Sequence, residues 1–282
     1  MPGITTSRII LGARLEKFRL AAGVTRKAAA AAAGCSVAHI GHIETGRNAP
    51  TGDDELCTLA SLYAVDDAAI AELLRLWVDA SKPGWWKIYG LAPDYARYVG
   101  LETDAQRLIS LELENIHGLL QTERYMRYRY HLEWPQLSAR DVDKRVLTRL
   151  NRQHRVAGGD DPLQLAAVVS AAALLRCAYT PSVAQGQLHQ LAQRAALPNV
   201  ELRVLPLEVG LHSGQDGSFS VLSFRDQLLP DVVYQEGSTG GHQTDVQTVA
   251  QRLHTRFDEL RDQTLGPNES LAWITQLANP TR

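Results

Sequence analysis

Between Gly23 and Pro50 the chain reads as two short helices joined by a turn too tight to leave their angle free, and this stretch limits the fold more than any other. Thr25 follows the apolar Val24 and precedes an unbroken helix-forming run, which makes it a helix N-cap. Six consecutive alanines, Ala28 to Ala33, are the strongest helix formers available and carry almost no side-chain bulk. Gly34 stops that helix, because the position after a helix end commonly takes a left-handed backbone that glycine adopts at little cost. Ser36 is a second N-cap, with Val37, Ala38 and His39 in the first turn of the helix it opens. Ile40 and Ile43 share that helix's buried face, whereas positions 37, 38, 41 and 42 point elsewhere. Gly46 and Pro50 close the unit.

Val24, Thr25, Ala30, Gly34, Ser36, Ile40, Ile43, Glu44, Gly46 and Pro50 stand in register with the phage-repressor-like (XRE-type) helix-turn-helix proteins. The N-terminal region therefore resembles their all-α, five-helix, lambda-repressor-like domain. The resemblance implies a structural salt bridge between Arg19 and Glu44. It also implies a DNA-facing role for Arg26, which stands where the family often has Gln. Alanines at 29 and 33 replace the family's usual bulky residues, so a lean core is expected around the second helix.

Charge decides whether such a unit can meet phosphate. Residues 1–50 hold seven Lys or Arg against two acids, and residues 51–80 hold one base against seven acids. A whole-chain charge of −2 thus hides a basic patch confined to the helix-turn-helix, the footprint of a modest binder of double-stranded DNA. The helix N-termini at Thr25 and Ser36 are expected to face phosphates, with Arg26, Lys27 and Arg47 adding contacts that position without specifying. Base reading falls to Val37, Ala38, His39 and His42, since Val and Ala can touch a thymine methyl and His can bond a purine edge. His39 and His42 lie three apart, but no nearby Cys or carboxylate completes a metal site, so no metal is expected. So short and apolar a reading face specifies few bases, and a second copy is expected to help choose the site.

A chain of 282 residues is too long for one helix-turn-helix. Two more helices follow, one from about Thr51 with a stripe of Leu56, Leu59 and Leu62, the other over 66–80 with Ile70, Leu73, Leu74 and Trp77. Lys82-Pro83-Gly84 breaks the pattern and divides a DNA-binding domain, 1–81, from a regulatory or dimerisation domain, 82–282. Trp85-Trp86 is too apolar to leave in water; it docks one domain on the other or pairs two subunits. No apolar run reaches the length of a membrane span, and no secretory leader pattern opens the chain. Three scattered cysteines, 35, 57 and 177, form no CxxC pair and fit a reducing, cytoplasmic setting.

Beyond the boundary the pattern predicts a mixed α/β domain with a small sheet. Helices are expected over 102–115, 122–133, 138–156, 182–196, 244–264 and 268–278. Strands are expected over 163–170, 200–205, 219–224 and 231–235; Glu201-Leu-Arg-Val-Leu205 alternates strictly, as a half-buried strand should. His212, Ser213 and Asp216 share a Gly-rich loop, but no nucleophile elbow is present, and the loop reads as a connection between strands. Gly237 to Gly241 reads as a turn, because the lysine of a P-loop is missing. No catalytic residue, enzyme activity or cofactor is expected.

Gly118-Leu-Leu-Gln-Thr-Glu-Arg-Tyr125 resembles the "PGLLQTxxYA" signature of an actinobacterial regulator family in which a helix-turn-helix precedes a domain of the DUF5753 type. The likeness continues through Trp85-Trp86 with Tyr89, Arg149-Leu-Asn-Arg-Gln153, Pro198-Asn-Val200, Val204-Leu-Pro206, Gly217-Ser-Phe219, Asp231-Val-Val-Tyr234, Glu236 and Ser270-Leu-Ala-Trp-Ile274. Three departures stand out: His117 in place of Pro, Ala171 where Glu is frequent, and Gln235 before Glu236. The resemblance implies a cytoplasmic transcriptional regulator, often paired with a small acidic protein of the DUF397 type and for that reason described as antitoxin-like. A homodimer, a partner protein and a small-molecule effector are the expected associations. Tyr125, Tyr128, Arg176 and Glu236 are the candidate ligand or partner residues. The tyrosine-rich segment 125–130 lines a pocket, binds a protein partner, or packs one face in the core while its arginines stay in water.

Overall fold

The computed structural model describes residues 3–226, 228–237 and 240–279, which fall into two compact units. One unit runs to Ile88 and includes Asp226–Leu229; the other comprises Tyr89–Arg225 and the chain from Pro230 onward.

The first unit has five helices: α1 (Ile4–Ala21), α2 (Arg26–Ala32), α3 (Val37–Glu44), α4 (Asp53–Leu62) and α5 (Asp67–Ser81). Its core takes Leu11 and Leu15 from α1, Ile40 and Ile43 from α3, Leu56 and Leu59 from α4 and Leu73 from α5. Each is almost fully buried, which contributes about 1.5–3 kcal/mol per side chain. Leu62 is exposed, and Ala60 and Tyr63 complete the α4 stripe in its place. Ile70, Leu74 and Trp77 are half-buried, and Leu76 and Ala80 join Leu73 on the inner face of α5. Ala29 and Ala30 of α2 are buried, while Ala28, Ala31 and Ala32 of the same run are exposed. Gly12 of α1 lies against the end of α3: a Cβ added there would sit 2.1 Å from the Ile43 carbonyl oxygen.

The second unit is built on a six-stranded sheet. Its elements in chain order are α6 (Pro93–Asp104), β1 (Arg107–Glu112), α7 (Glu123–Glu133), α8 (Ala139–Ala157), β2 (Gln164–Ser170), α9 (Ala171–Ala178), α10 (Ala184–Ala195), β3 (Val200–Leu205), β4 (Phe219–Ser223), β5 (Val232–Gly237), β6 (Gly240–Thr244), α11 (Gln247–Arg261) and α12 (Pro267–Ala278). The strand order is β3-β2-β1-β4-β5-β6, with β1 and β3 parallel to β2 and the remaining pairs antiparallel.

The expected helix over 102–115 is corrected: α6 ends at Asp104, and 107–112 is the strand β1, paired on both sides. Strand β6 and helix α9 also go beyond the sequence reading. Gly237 and Gly240 face each other across β5 and β6; Ser238 and Thr239 of the expected turn lie outside the described residues.

The sheet's two faces differ. Alternate residues Ile109, Leu111, Ala166, Val168, Phe219, Val221 and Val233 form a continuous apolar layer against Ala250, Leu253, Phe257 and Leu260 of α11. On the opposite face, β1, β4 and β5 carry Ser110, Ser220 and Tyr234, aligned by strand register. The edge strand β3 is blunted by the chain after α11. The Val204 N–H donates to Ser270 Oγ at 2.9 Å, and the Leu265 N–H donates to the Val204 carbonyl at 2.9 Å. No described helix is long and apolar enough to cross a membrane.

Candidate functional site

The helix-turn-helix is set by its caps. Thr25 Oγ1 accepts from the Ala28 N–H at 3.1 Å, and Ser36 Oγ accepts from the His39 N–H at 3.1 Å. Between them Gly34 holds the left-handed φ of +65° that ends α2. Gly46, at φ +66°, ends the unit with its Cα against α1; an added Cβ there would sit 2.7 Å from the Ile9 Cα.

One buried ion pair braces these helices. Arg19 Nε donates to Glu44 Oε1 at 2.5 Å and Arg19 Nη2 to Glu44 Oε2 at 3.1 Å, while Arg19 Nη1 donates to the Val24 carbonyl at 2.9 Å. Arg26 joins through Nε to Glu44 Oε2 at 2.6 Å and through Nη2 to Glu16 Oε1 at 2.9 Å. Burial alone would raise the Glu44 carboxyl, but the hydrogen bonds from Arg19 and Arg26 outweigh it and hold the group below the usual carboxylate range.

The network redistributes the basic patch. Arg14 pairs with Glu72, and Arg8 donates to the Ala80 carbonyl at 2.6 Å. With Arg19 and Arg26 also engaged, Lys17, Lys27 and Arg47 are the exposed bases of this stretch that form no ion pair among the described residues.

Along α3, Val37, Ala38 and His42 are exposed and stand on the side away from Ile40 and Ile43. His39 turns toward α4: its Nε2 lies 3.0 Å from Glu55 Oε1. Glu55 Oε2 is held by the Thr51 N–H at 2.7 Å and the Thr51 hydroxyl at 2.9 Å. The outward face therefore carries Val37, Ala38 and His42, with His39 at its margin.

In the second unit, the four residues singled out from the sequence do not form one group. Tyr128 is exposed, and Arg176 pairs with Glu114 at 2.8 Å on an exposed surface. Tyr125 is buried and feels the charge of Glu112, a residue that sequence reasoning missed, and the exposed Glu236 acts electrostatically on Glu112. Burial pushes the Glu112 carboxyl up to about 7 against the hydrogen bond it accepts from Ser110 Oγ at 2.8 Å; Glu236 adds to the rise, and Arg129 and Arg149 oppose it. Chain position carries no signal for Glu112, because its neighbours come from β5, α7 and α8.

Several of the signature-like residues have structural partners. Gln153 Nε2 donates to the Gly118 and Gln121 carbonyls at 2.9 and 2.7 Å, and Gln187 bonds the Thr122 N–H and the Leu120 carbonyl, both at 2.8 Å. Side-chain amides thus satisfy the backbone of a segment that lacks a ladder of its own. His117, standing in place of Pro, has φ −54°, near the value proline fixes, and its Nδ1 accepts from the Leu119 N–H at 3.3 Å. Burial pushes that imidazole down to about 4 and keeps it neutral. Arg152 grips Glu102 with bonds of 2.7 and 2.6 Å.

Neither serine cluster forms a nucleophile–base pair among the described residues. His212 Nδ1 accepts from the Gly214 N–H at 3.2 Å, and Asp216 pairs with Arg256 at 3.0 Å. Ser223 Oγ and His254 Nε2 both bond Asp231 Oδ2, at 3.0 and 2.6 Å, so the hydroxyl meets the carboxylate instead of the imidazole. No three His, Cys, Asp or Glu side chains are grouped to hold a metal among the described residues.

Two known families match parts of the chain. Residues 10–73 match a family described as a helix-turn-helix domain. Residues 95–276, more than half of the chain, match one described as a domain of unknown function, DUF5753. No curated protein and no solved structure matches the chain.

Proposed function

The chain belongs to the DUF5753 family and carries a helix-turn-helix domain, and from these premises we propose that it is a sequence-specific transcriptional regulator that binds operator DNA as a dimer. The observation that carries this reading is α3. It is capped, buried through Ile40 and Ile43, and outward-facing through Val37, Ala38 and His42. Thr25 and Ser36 spend their hydroxyls on their own helices, which leaves phosphate positioning chiefly to Lys27 and Arg47.

With Lys17, Lys27 and Arg47 the only exposed bases of the helix-turn-helix stretch that form no ion pair among the described residues, one copy binds weakly, and a second copy supplies the rest of the affinity. The operator is then two-fold symmetric, with half-sites about one helical turn apart. The second unit serves as the regulatory part, responding to a small molecule or a partner protein. The chain works in the cytoplasm, where its DNA is, and has no catalytic role. A saturable, salt-sensitive shift of a symmetric fragment by the purified chain tests this function.

An antitoxin-like role, in which the chain sequesters a small acidic DUF397-type protein and binds DNA only to regulate its own operon, rests on the resemblance alone. No residue arrangement described above favours it. Recovery of a stoichiometric acidic partner, together with loss of DNA binding when that partner is removed, would reverse the preference.

A further inference from the structure

Two arginines three residues apart on α8 have opposite surroundings. Arg152 is saturated by the two oxygens of Glu102 and by the Tyr95 hydroxyl at 2.7 Å. Arg149 is nine-tenths buried, yet it forms no ion pair among the described residues. Its Nη1 donates to a neutral acceptor, Gln121 Oε1, at 2.8 Å, its Nε has no partner, and its guanidinium lies 5.4 Å from the centroid of the Tyr130 ring. A buried guanidinium without a carboxylate is costly and is seldom left in that state.

Arg149 acts electrostatically on the polar face of the sheet, where the surroundings are also incomplete. Register aligns Ser110, Ser220 and Tyr234 across β1, β4 and β5, and Glu112 and Glu236 follow two residues beyond the first and last of these. Neither carboxylate has an ion-pair partner among the described residues, and Glu112 has only the Ser110 hydrogen bond. The Ser220 hydroxyl, on a residue 4% exposed, has no partner among them either. Tyr234 is fixed by stacking on Tyr98, with ring centroids 4.1 Å apart.

Within electrostatic reach of one another, α8 and this face thus present a buried guanidinium and two carboxyl groups that form no ion pair among the described residues, a hydroxyl without a partner among them, and aromatic rings. We propose that this face binds a small zwitterion of the α-amino acid class, its carboxylate on Arg149 and its ammonium held by Glu112 and Glu236 beside the Tyr234 ring. A ligand of this class completes both unpaired charges at once, which a simple anion or a simple amine cannot do. The inference rests on reading the second unit as the regulatory part.

Calorimetric titration of the full chain, without DNA, by each of the proteinogenic L-α-amino acids tests it. At least one binds saturably with a Kd of about 1 mM or below. Its carboxamide and its deaminated acid each bind at least about tenfold more weakly, a difference of about 1.4 kcal/mol. Glu112→Gln and Arg149→Lys each weaken binding by a similar factor. Ser220→Ala, which removes one hydroxyl and leaves both charges in place, weakens it less and serves as the variant of intact fold. Circular dichroism in the near ultraviolet verifies the packing of all three. Absence of binding by every amino acid, or equal binding of the carboxamide, overturns the proposal, as does unchanged affinity in both charge variants. Operator binding by the same preparation is measured separately. Its loss would remove the regulator reading while leaving the titration result intact, and the reverse also holds.

Discussion

Arg19 and Glu44 form a forked, buried ion pair that ties the end of α1 to the end of α3, with side chains 8% and 2% exposed. Removing one partner of such a pair leaves the other buried and uncompensated, at a cost of about 3–5 kcal/mol. Glu44→Gln is therefore expected to lower the stability of the first unit by about that amount in urea unfolding, since two arginines lose their shared anion. Unchanged stability would show that the pair has no structural role. The same carboxyl gives an acid limit. Its folded-state pKa lies below the ordinary value of 4.5, so its contribution is complete above that pH and is lost as pH falls through the lower value.

Arg47 and Arg26 should respond differently to substitution. Arg47 is exposed and forms no ion pair among the described residues, so Arg47→Ala should reduce the salt slope of operator binding by about 0.9. Arg26 is already balanced by Glu44 and Glu16, so Arg26→Ala should change the slope less while costing up to about 1 kcal/mol of stability. Equal slope changes in the two variants would mean that Arg26 leaves its acidic partners when DNA is bound.

Gly12 fixes how closely α1 and α3 approach. Gly12→Ala places a methyl group 2.1 Å from the Ile43 carbonyl oxygen and 2.8 Å from that of Glu44, both backbone atoms that a rotamer change cannot move. The helices must separate, at a cost of about 1–3 kcal/mol, and the Arg19–Glu44 bonds lengthen with them. Unfolding midpoints of Gly12→Ala and the parent chain measure this, and equal midpoints would contradict the close approach.

Glu112 gives a pH dependence of the opposite sign to Glu44. Its folded-state pKa, raised to about 7, lies above the ordinary 4.5 of an unfolded chain. The unfolded state therefore loses its proton first, and stability falls as pH rises from about 4.5 to about 7. Glu112→Gln should flatten that part of the profile for the second unit. A profile identical to the parent's would show that Glu112 is ionised at ordinary cost.

The helix-turn-helix was legible because each boundary is written in a residue with one dominant local use: hydroxyl caps at Thr25 and Ser36, and a left-handed glycine at Gly34. Strand β1 was not legible. Arg107-Leu-Ile-Ser-Leu-Glu112 is central and buried on both faces, so it lacks the alternation that marks a strand with one face in water. Leu101, Leu108 and Leu111 also happen to fall at helical spacing. Strand β6 failed for the reverse reason, being a polar, Gly-rich edge with no apolar pattern. Arg26 and His39 were read as outward-facing from position alone, and only the fold shows acids within reach of both. The cluster around Arg149 and Glu112 spans several elements, so no local pattern could have assembled it.

The central claim is that α3 reads a symmetric operator. Selection of genomic fragments by the purified full-length chain, followed by footprinting of the enriched sequences, tests it most directly. The expected result is one two-fold symmetric motif, protected at half-sites about one helical turn apart, with affinity that falls steeply as salt rises. Enrichment of no motif, or protection that does not depend on sequence, would contradict the account.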